Sequence, residues 1–240
     1  MGCDIHTRAE VREAGVWCMV KRLWPDEYVN GGLTSEPYWT RNYYTFAILA
    51  GVRNFGAITP IAEARGWPDD LSADCRTEYD GDDDDAWLIG GEFSFSWHSL
   101  RHLLEYPHWQ ATIVEEGIIN GPQYAAMKSG ILPDRWWSGS DGRTLVDEEY
   151  LAAELKLGND TQELCVRTKW EVPYYKAAEE FVTETIPRLL ALASPHSDVL
   201  TMANLALAGE KNALLPLQDW LEENERPGLD DVRIVFCFDN

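Results

Sequence analysis

The chain closes on VRIVFCFDN, residues 232–240, and no other stretch limits the possible folds as strongly. Apart from Arg233, the run from Val232 to Phe238 is apolar, so both of its faces are apolar. Such a strand has to be covered on both sides, which places it inside a sheet. The opening residues 3–24 read as a hairpin. Ile5, Thr7, Ala9 and Val11 alternate with His6, Arg8, Glu10 and Arg12, and Gly15 marks a turn before VWCMVKRLW. Alternation with period two gives a strand with one buried face, a natural neighbour for the closing strand. Both chain ends are therefore expected in one sheet.

Between these ends the pattern is largely helical. RNYYTFAILAGVRN at 41–54 predicts a short helix, and HSLRHLLEY at 98–106 predicts another, ended by Pro107. Residues 121–129 and 145–157 suggest two more, and 162–172 alternate as a strand. The strongest helical signal covers 173–193, with Pro187 expected to kink it. Segments 197–208 and 216–224 complete the helices. The expected class is α+β: a mainly antiparallel sheet that pairs the N- and C-terminal strands, helices packed on one face, and long loop insertions. One domain over 1–240 is expected, with an irregular, loop-rich insertion around 108–144.

Composition narrows the function. The net charge is −21, from 20 basic and 41 acidic residues. That argues against a broad nucleic-acid surface, because phosphate neutralisation needs clustered Lys and Arg. No apolar run is long enough for a membrane span, and MGCDIHTRAEVREAG lacks the charged-then-apolar order of a signal peptide. A soluble, intracellular protein is expected. The five cysteines, Cys3, Cys18, Cys75, Cys165 and Cys237, form no CxxC pair, so neither a disulfide framework nor a cysteine zinc site is expected. The acidic run EYDGDDDD at 78–85 reads as a solvated loop and fails the EF-hand pattern, since Asp85 stands where the glycine belongs.

Several residue groups can carry chemistry. Asp4 and His6 share one strand face, as an acid–base pair or as a polar network. Arg41, Asn42, Arg53 and Asn54 flank the 41–54 helix, where an arginine fork suits phosphate or carboxylate and also suits a salt bridge to one of the many acids. Arg65, Trp67 and Ser72 sit in the tight loop RGWPDDLS. Ser94, Ser96, Trp97 and His98 follow; no GxSxG elbow surrounds the serines, so they read as hydrogen-bond donors to a polar ligand. His98, His102 and Glu105 would share a helix face at i, i+4 and i+7, but the HExxH glutamate is missing. Trp136 and Trp137 beside Arg135 and Arg143 suit base stacking or the packing of a flap. There is no P-loop, GxGxxG or kinase signature, and no cofactor or metal is called for.

MGCDIH at 1–6, RNYYTFAILAGVRN at 41–54, RGWPDDLS at 65–72, SFSW at 94–97 and VRIVFCFDN at 232–240 occur in this order. Together they resemble a family of small proteins encoded by bacteriophages and prophages, with the pattern MG-x-DIH, RNY-x-LFA-x-LA-x-VRN, RG-x-P-x-D-x-S, HS-x-SW-x-TL and R-x-VF-x-FDN. The resemblance spans most of the chain. This sequence departs from it at Phe93, where the pattern has histidine, unless His98 substitutes.

The resemblance implies a phage accessory protein acting in the host cell cytosol, and such proteins often disarm host defences. Three functional readings follow. In the favoured one the chain binds and sequesters a nucleotide-type immune signal without turnover. Trp67, Trp97 or Trp136 would stack on a base, Arg41, Arg53 or Arg65 would hold phosphate, and Asp4 and His6 would bind sugar hydroxyls or orient the arginines. In the second it is a nucleotide or phosphodiester hydrolase with Asp4 and His6 as catalytic residues. In the third its acidic surface mimics nucleic acid and blocks a host defence nuclease. The partner is then a nucleotide-like small molecule or a host defence protein, and the aromatic content makes a homodimer plausible.

Overall fold

The computed structural model describes residues 3–26, 29–80, 94–108, 111–140 and 142–239. Most of the acidic run, from residue 81 on, lies outside the described residues, as does Phe93. The chain divides into two compact units, one made of 1–111 and 174–240, the other of Thr112–Pro173.

The first unit opens with strand β1 (Ile5–Glu13), which turns into β2 (Val16–Met19). The expected second arm of that hairpin is shorter than its sequence suggests. Trp24–Pro25 (β3) instead pairs with Leu33–Thr34 (β4) in a separate two-stranded ribbon. Helix α1 (Tyr43–Ala50) follows. The Asn42 side chain caps it by accepting from the amides of Tyr44 and Thr45, and Gly51, at φ 72°, ends it in the left-handed region that glycine enters without penalty. Next come α2 (Ala73–Asp80), β5 (Ser94–Ser99) and α3 (Leu100–Glu105). Ser99 is the last residue of β5 and the N-cap of α3, its hydroxyl accepting from the His102 amide at 3.4 Å.

The second unit is a three-stranded sheet of order β6-β8-β7, with β6 at Thr112–Asn120, β7 at Thr144–Val146 and β8 at Leu164–Pro173. β6 runs antiparallel and β7 parallel to β8. Helix α4 (Gly121–Lys128) starts in a capping box between Asn120 and Gln123, and α5 (Glu148–Leu157) starts at Asp147, whose side chain accepts from the Tyr150 amide. The segment 108–144, expected to be irregular, thus holds a nine-residue strand and a helix, and its unit continues to Pro173.

Back in the first unit, 174–193 is interrupted. α6 (Tyr174–Ala177) leads into a wide π turn at Phe181–Thr185 and then α7 (Ile186–Ala193). Pro187 has no amide hydrogen and its ring would press on the carbonyl four residues back; the wide turn just before it takes up that misfit. α8 (Ser197–Leu207), α9 (Leu214–Glu223) and β9 (Val232–Phe238) complete the chain.

β9 is central, as its composition requires: the sheet order is β2-β1-β9-β5, antiparallel throughout, and every β9 residue is buried. Ile5 pairs with Phe238 and Val11 with Val232, while Ser94 pairs with Phe238 and Ser99 with Arg233. This register sorts the side chains. One face carries Ile5, Ala9, Ile234, Phe236 and Phe238, and packs into the main core with α1, α3, α7, α8 and α9. The other carries Met19, Val235 and Cys237, covered by Leu71, Cys75 and Tyr79 from the loop before α2 and from α2 itself. Beyond that cover, the same face carries Glu10, Arg12, Trp17, Trp97, Ser99 and Arg233.

Candidate functional site

The polar end of that second face is a groove of about 390 Å³, with Arg12, Trp17, Asp70, Trp97, His102 and Arg233 in its walls. Its floor is an ion pair inside the sheet. Arg233 is 2 % exposed and Glu10 is 0 %, and the Arg233 Nε donates to Glu10 Oε2 at 2.7 Å. Two buried charges persist only when their remaining hydrogen-bonding positions are filled. Here Glu10 Oε1 accepts from the Ser72 amide at 2.9 Å, and Arg233 Nη1 donates to Asp70 Oδ1 at 2.6 Å. Trp17 Nε1 donates to the other Asp70 oxygen at 2.8 Å, and the Arg233 guanidinium lies 3.8 Å over the Trp17 ring. Burial pushes the Asp70 carboxyl up, but the hydrogen bonds from Arg233 and Trp17 outweigh it and hold the group below its ordinary value.

The rim adds Arg12, whose Nε donates to Asp231 at 2.6 Å, and the exposed carboxylates of Asp69 and Asp230. Trp97 forms the aromatic wall, with the Arg65 guanidinium 4.2 Å over its ring. Arg65 folds round β5, where Gly66 donates to the Phe95 carbonyl at 2.8 Å, and Arg65 itself donates to the Trp97 carbonyl and to His98 Nδ1.

His98 is not a helix residue. The alternation of β5 continues through it, and helix α3 begins only after Ser99, so the expected i, i+4, i+7 face of His98, His102 and Glu105 does not form. His98 points into the main core, donates from Nε2 to the Leu49 carbonyl at 2.6 Å and accepts at Nδ1 from Arg65 at 3.0 Å. Burial pulls its pKa down to about 3, so it is neutral with both nitrogens engaged and serves as a structural strut. His102 is half-buried and also held below the usual histidine value by burial, with the nearby Arg65 adding to the effect. Its Nδ1 is enclosed without a hydrogen-bond partner.

The other sequence candidates fall elsewhere. Asp4 lies just before β1, beside the end of β9, with its amide donating to Asp239 Oδ1. Both Asp4 oxygens accept from Arg41, each at 2.5 Å, and that guanidinium keeps the carboxyl below its ordinary value. His6 has Glu36 and Asp239 carboxylates each 3.8 Å from a ring nitrogen. Asp239 lies four positions along from Val235, the partner of Trp97, which is about 13 Å of strand. Asp4, His6 and Arg41 therefore form a cluster of their own, away from Trp97. Asn42 caps α1 and donates to the Ala177 carbonyl at 2.7 Å, and Asn54 stitches its loop by two bonds to Ile58. Arg53 adopts φ 51° just after α1. Trp67 stacks on Phe95 at 4.0 Å and packs on Tyr79, so it is half-buried in the cover of the sheet. Ser96 is buried and Ser94 half-buried on β5. Trp136, in the second unit, is 44 % exposed and lies against Gly117.

Sequence reasoning passed over Arg12, Trp17, Asp70 and Arg233. One signal was available: a lone arginine in an otherwise apolar, central strand has to be paired with a carboxylate. Among the described residues no group of three or more His, Cys, Asp or Glu could hold a metal ion, and no helix is long and apolar enough to cross a membrane. No protein-family model, curated protein or solved structure matches the chain.

Proposed function

We propose that this chain is a binding protein for a nucleotide-type small molecule, seated in the groove over β1, β9 and β5 and not turned over there. The observation that carries this reading is the pairing of an aromatic wall, Trp97, with a rigid array of donors and acceptors built on Arg233, Asp70 and Arg12. A base can lie against the tryptophan, and ribose hydroxyls suit Asp69 and Asp230 on the rim. The groove holds more carboxylates than arginines, so a phosphate fits at its His102 side, next to Arg65, and not on its floor. His98 is closed off by Arg65 and Leu49, and Asp70 is held ionised by Arg233, so neither is offered as a proton-transfer group. The resemblance to phage-encoded proteins makes the ligand a host immune signal that the protein sequesters.

The hydrolase reading has one observation in its favour. His6 has the Glu36 and Asp239 carboxylates each 3.8 Å from a ring nitrogen, the pairing of imidazole with carboxylate that acid–base chemistry uses. Against it, Asp4 is occupied by Arg41.

One experiment separates the two. The protein is incubated with a panel of cyclic dinucleotides, cyclic oligoadenylates, ADP-ribose isomers, NAD and ATP, with and without divalent metals, then removed by filtration and denatured. A nucleotide depleted from the filtrate and released intact, with depletion lost in Trp97→Ala, is the expected result. A new product overturns binding without turnover, and a filtrate unchanged for every nucleotide overturns the nucleotide class itself.

A further inference from the structure

His102 belongs to two clefts. On one side it lines the groove just described; on the other it lines a second cleft of about 460 Å³, whose aromatic side is the stacked pair Tyr106 and Tyr174. The two rings lie 5.8 Å apart at 17°, and the Tyr106 hydroxyl donates to the Thr59 carbonyl at 2.7 Å, which fixes the pair against the loop at Thr59–Ile61. Both volumes fall in the range of roughly 300–1,000 Å³ typical of ligand clefts. Each cleft has an aromatic side, the half-buried Trp97 in the first and, in the second, the small exposed parts of Tyr106 and Tyr174, which are 9 % and 5 % exposed.

The junction between them is polar. The His102 imidazole stands there, its Nδ1 enclosed by protein and without a hydrogen-bond partner. Burial keeps that ring neutral at ordinary pH, so it offers one donor and one acceptor and not a charge. The Arg65 guanidinium acts on it most strongly among the charged groups, followed by the Glu105 and Asp230 carboxylates and then Arg101. Arg101 is anchored by its bond to Asp230 at 2.9 Å.

The geometry points to a bipartite site for a dinucleotide: one base against Trp97, the second against Tyr106 and Tyr174, and the phosphate that joins the two nucleosides crossing over His102 on its Arg65 side. A neutral imidazole beside one guanidinium, Arg65, and among the carboxylates of Glu105 and Asp230 suits a linking phosphate, which carries a single charge, better than a terminal phosphate with two. The inference rests on the nucleotide-binding reading above, and it narrows the ligand to molecules with two ring systems.

The test is titration calorimetry with mononucleotides of adenine, guanine, cytosine and uracil and with the matching dinucleotides, linear and cyclic, on wild-type protein and on Thr59→Trp. Thr59 is exposed, and its tie to Tyr106 runs through its backbone carbonyl, so the bulky side chain fills the second cleft without removing that bond. At least one dinucleotide is expected to bind ten-fold or more tighter than its mononucleotide, with the ratio falling to near one in Thr59→Trp. Equal affinities in the wild type, or an advantage that survives Thr59→Trp, overturn the bipartite site and leave a single nucleotide groove. No heat from any ligand overturns the groove reading together with it.

Discussion

Arg233 and Glu10 stand opposite each other on neighbouring strands, and their side chains meet at 2.7 Å with both residues shut away from water. This cross-strand pair ties the two ends of the chain together electrostatically where the sheet already ties them by backbone bonds. It also orients Asp70 and, through Asp70, Trp17, so that the rigidity of the groove derives from the interior of the sheet.

Truncating one partner should therefore be costly. Arg233→Met leaves the Glu10 carboxylate buried with only the Ser72 amide, and breaking a buried pair in this way costs about 3–5 kcal/mol. Glu10→Gln in the same background removes the orphaned charge while keeping an acceptor for Ser72. Urea unfolding of the two single variants and the double variant should show the double losing clearly less than the sum of the singles. Strict additivity would mean that the two charges do not sense each other.

Stability should fall in mild acid for a defined reason. His98 has its folded pKa lowered to about 3 and His108 to about 4, both by burial, and each donates to a carbonyl, Leu49 and Leu103 respectively. A group whose pKa is depressed on folding contributes stability that is complete above its unfolded value, near 6.5, and is lost as the pH falls toward the folded value. The groups facing His98 are Arg65 and His102, which add to the cost of protonating it. His98→Gln keeps a donor for Leu49 and removes the titration. Its urea midpoint should depend less on pH between 6.5 and 4 than that of the wild type, with His108 and His102 both contributing to the slope that remains. An identical pH profile in the two proteins would count against a neutral, buried His98.

What the chain disclosed in advance follows from how local each signal is. The central place of β9 was legible because seven consecutive buried residues leave no other location for that strand. Helix α1 was legible because Asn42 and Gly51 mark its ends. The groove was not, since it gathers Arg12, Asp70, Trp97, His102 and Arg233 from five separate segments that adjoin only through the strand register. His98 misled for a different reason: HSLRHLLE has helical spacing, but Ser99 caps the helix one residue later and leaves His98 to the strand. Three of the motif segments supply strands β1, β5 and β9 of one sheet, while 41–54 supplies helix α1. RGWPDDLS supplies Asp70 and Ser72 to the pair formed by Glu10 and Arg233, and the opening and closing motifs meet at Asp4 and Asp239.

The thiols should separate cleanly by reactivity. Cys18 is exposed on β2, while Cys3, Cys75, Cys165 and Cys237 are buried. Burial raises the Cys75 thiol and pushes Cys237 up to about 12, which suppresses the reactive thiolate. Folded protein treated with Ellman's reagent at neutral pH should release one equivalent quickly, assigned to Cys18 by its loss in Cys18→Ser, and the other four only on unfolding. Fast release of two or more equivalents from folded protein would contradict the packing of the sheet.

The second unit offers a test of close packing at one backbone position. Gly121 opens α4 against Thr161, and a Cβ placed on it would collide with the Thr161 hydroxyl and lie 2.7 Å from the Thr161 carbonyl oxygen. The carbonyl is backbone and cannot rotate away, so Gly121→Ala has to displace either the start of the helix or the turn that leads into β8. Overpacking of this kind costs about 1–3 kcal/mol. The loss should be local. Amide exchange should quicken across α4 and the 159–163 turn, while β9 in the first unit keeps its protection. Thr161→Gly opens space at the hydroxyl but leaves the carbonyl in place, so it should restore only part of the stability when combined with Gly121→Ala. Full restoration would show that the side chain alone, and not the backbone, excludes a methyl group at position 121.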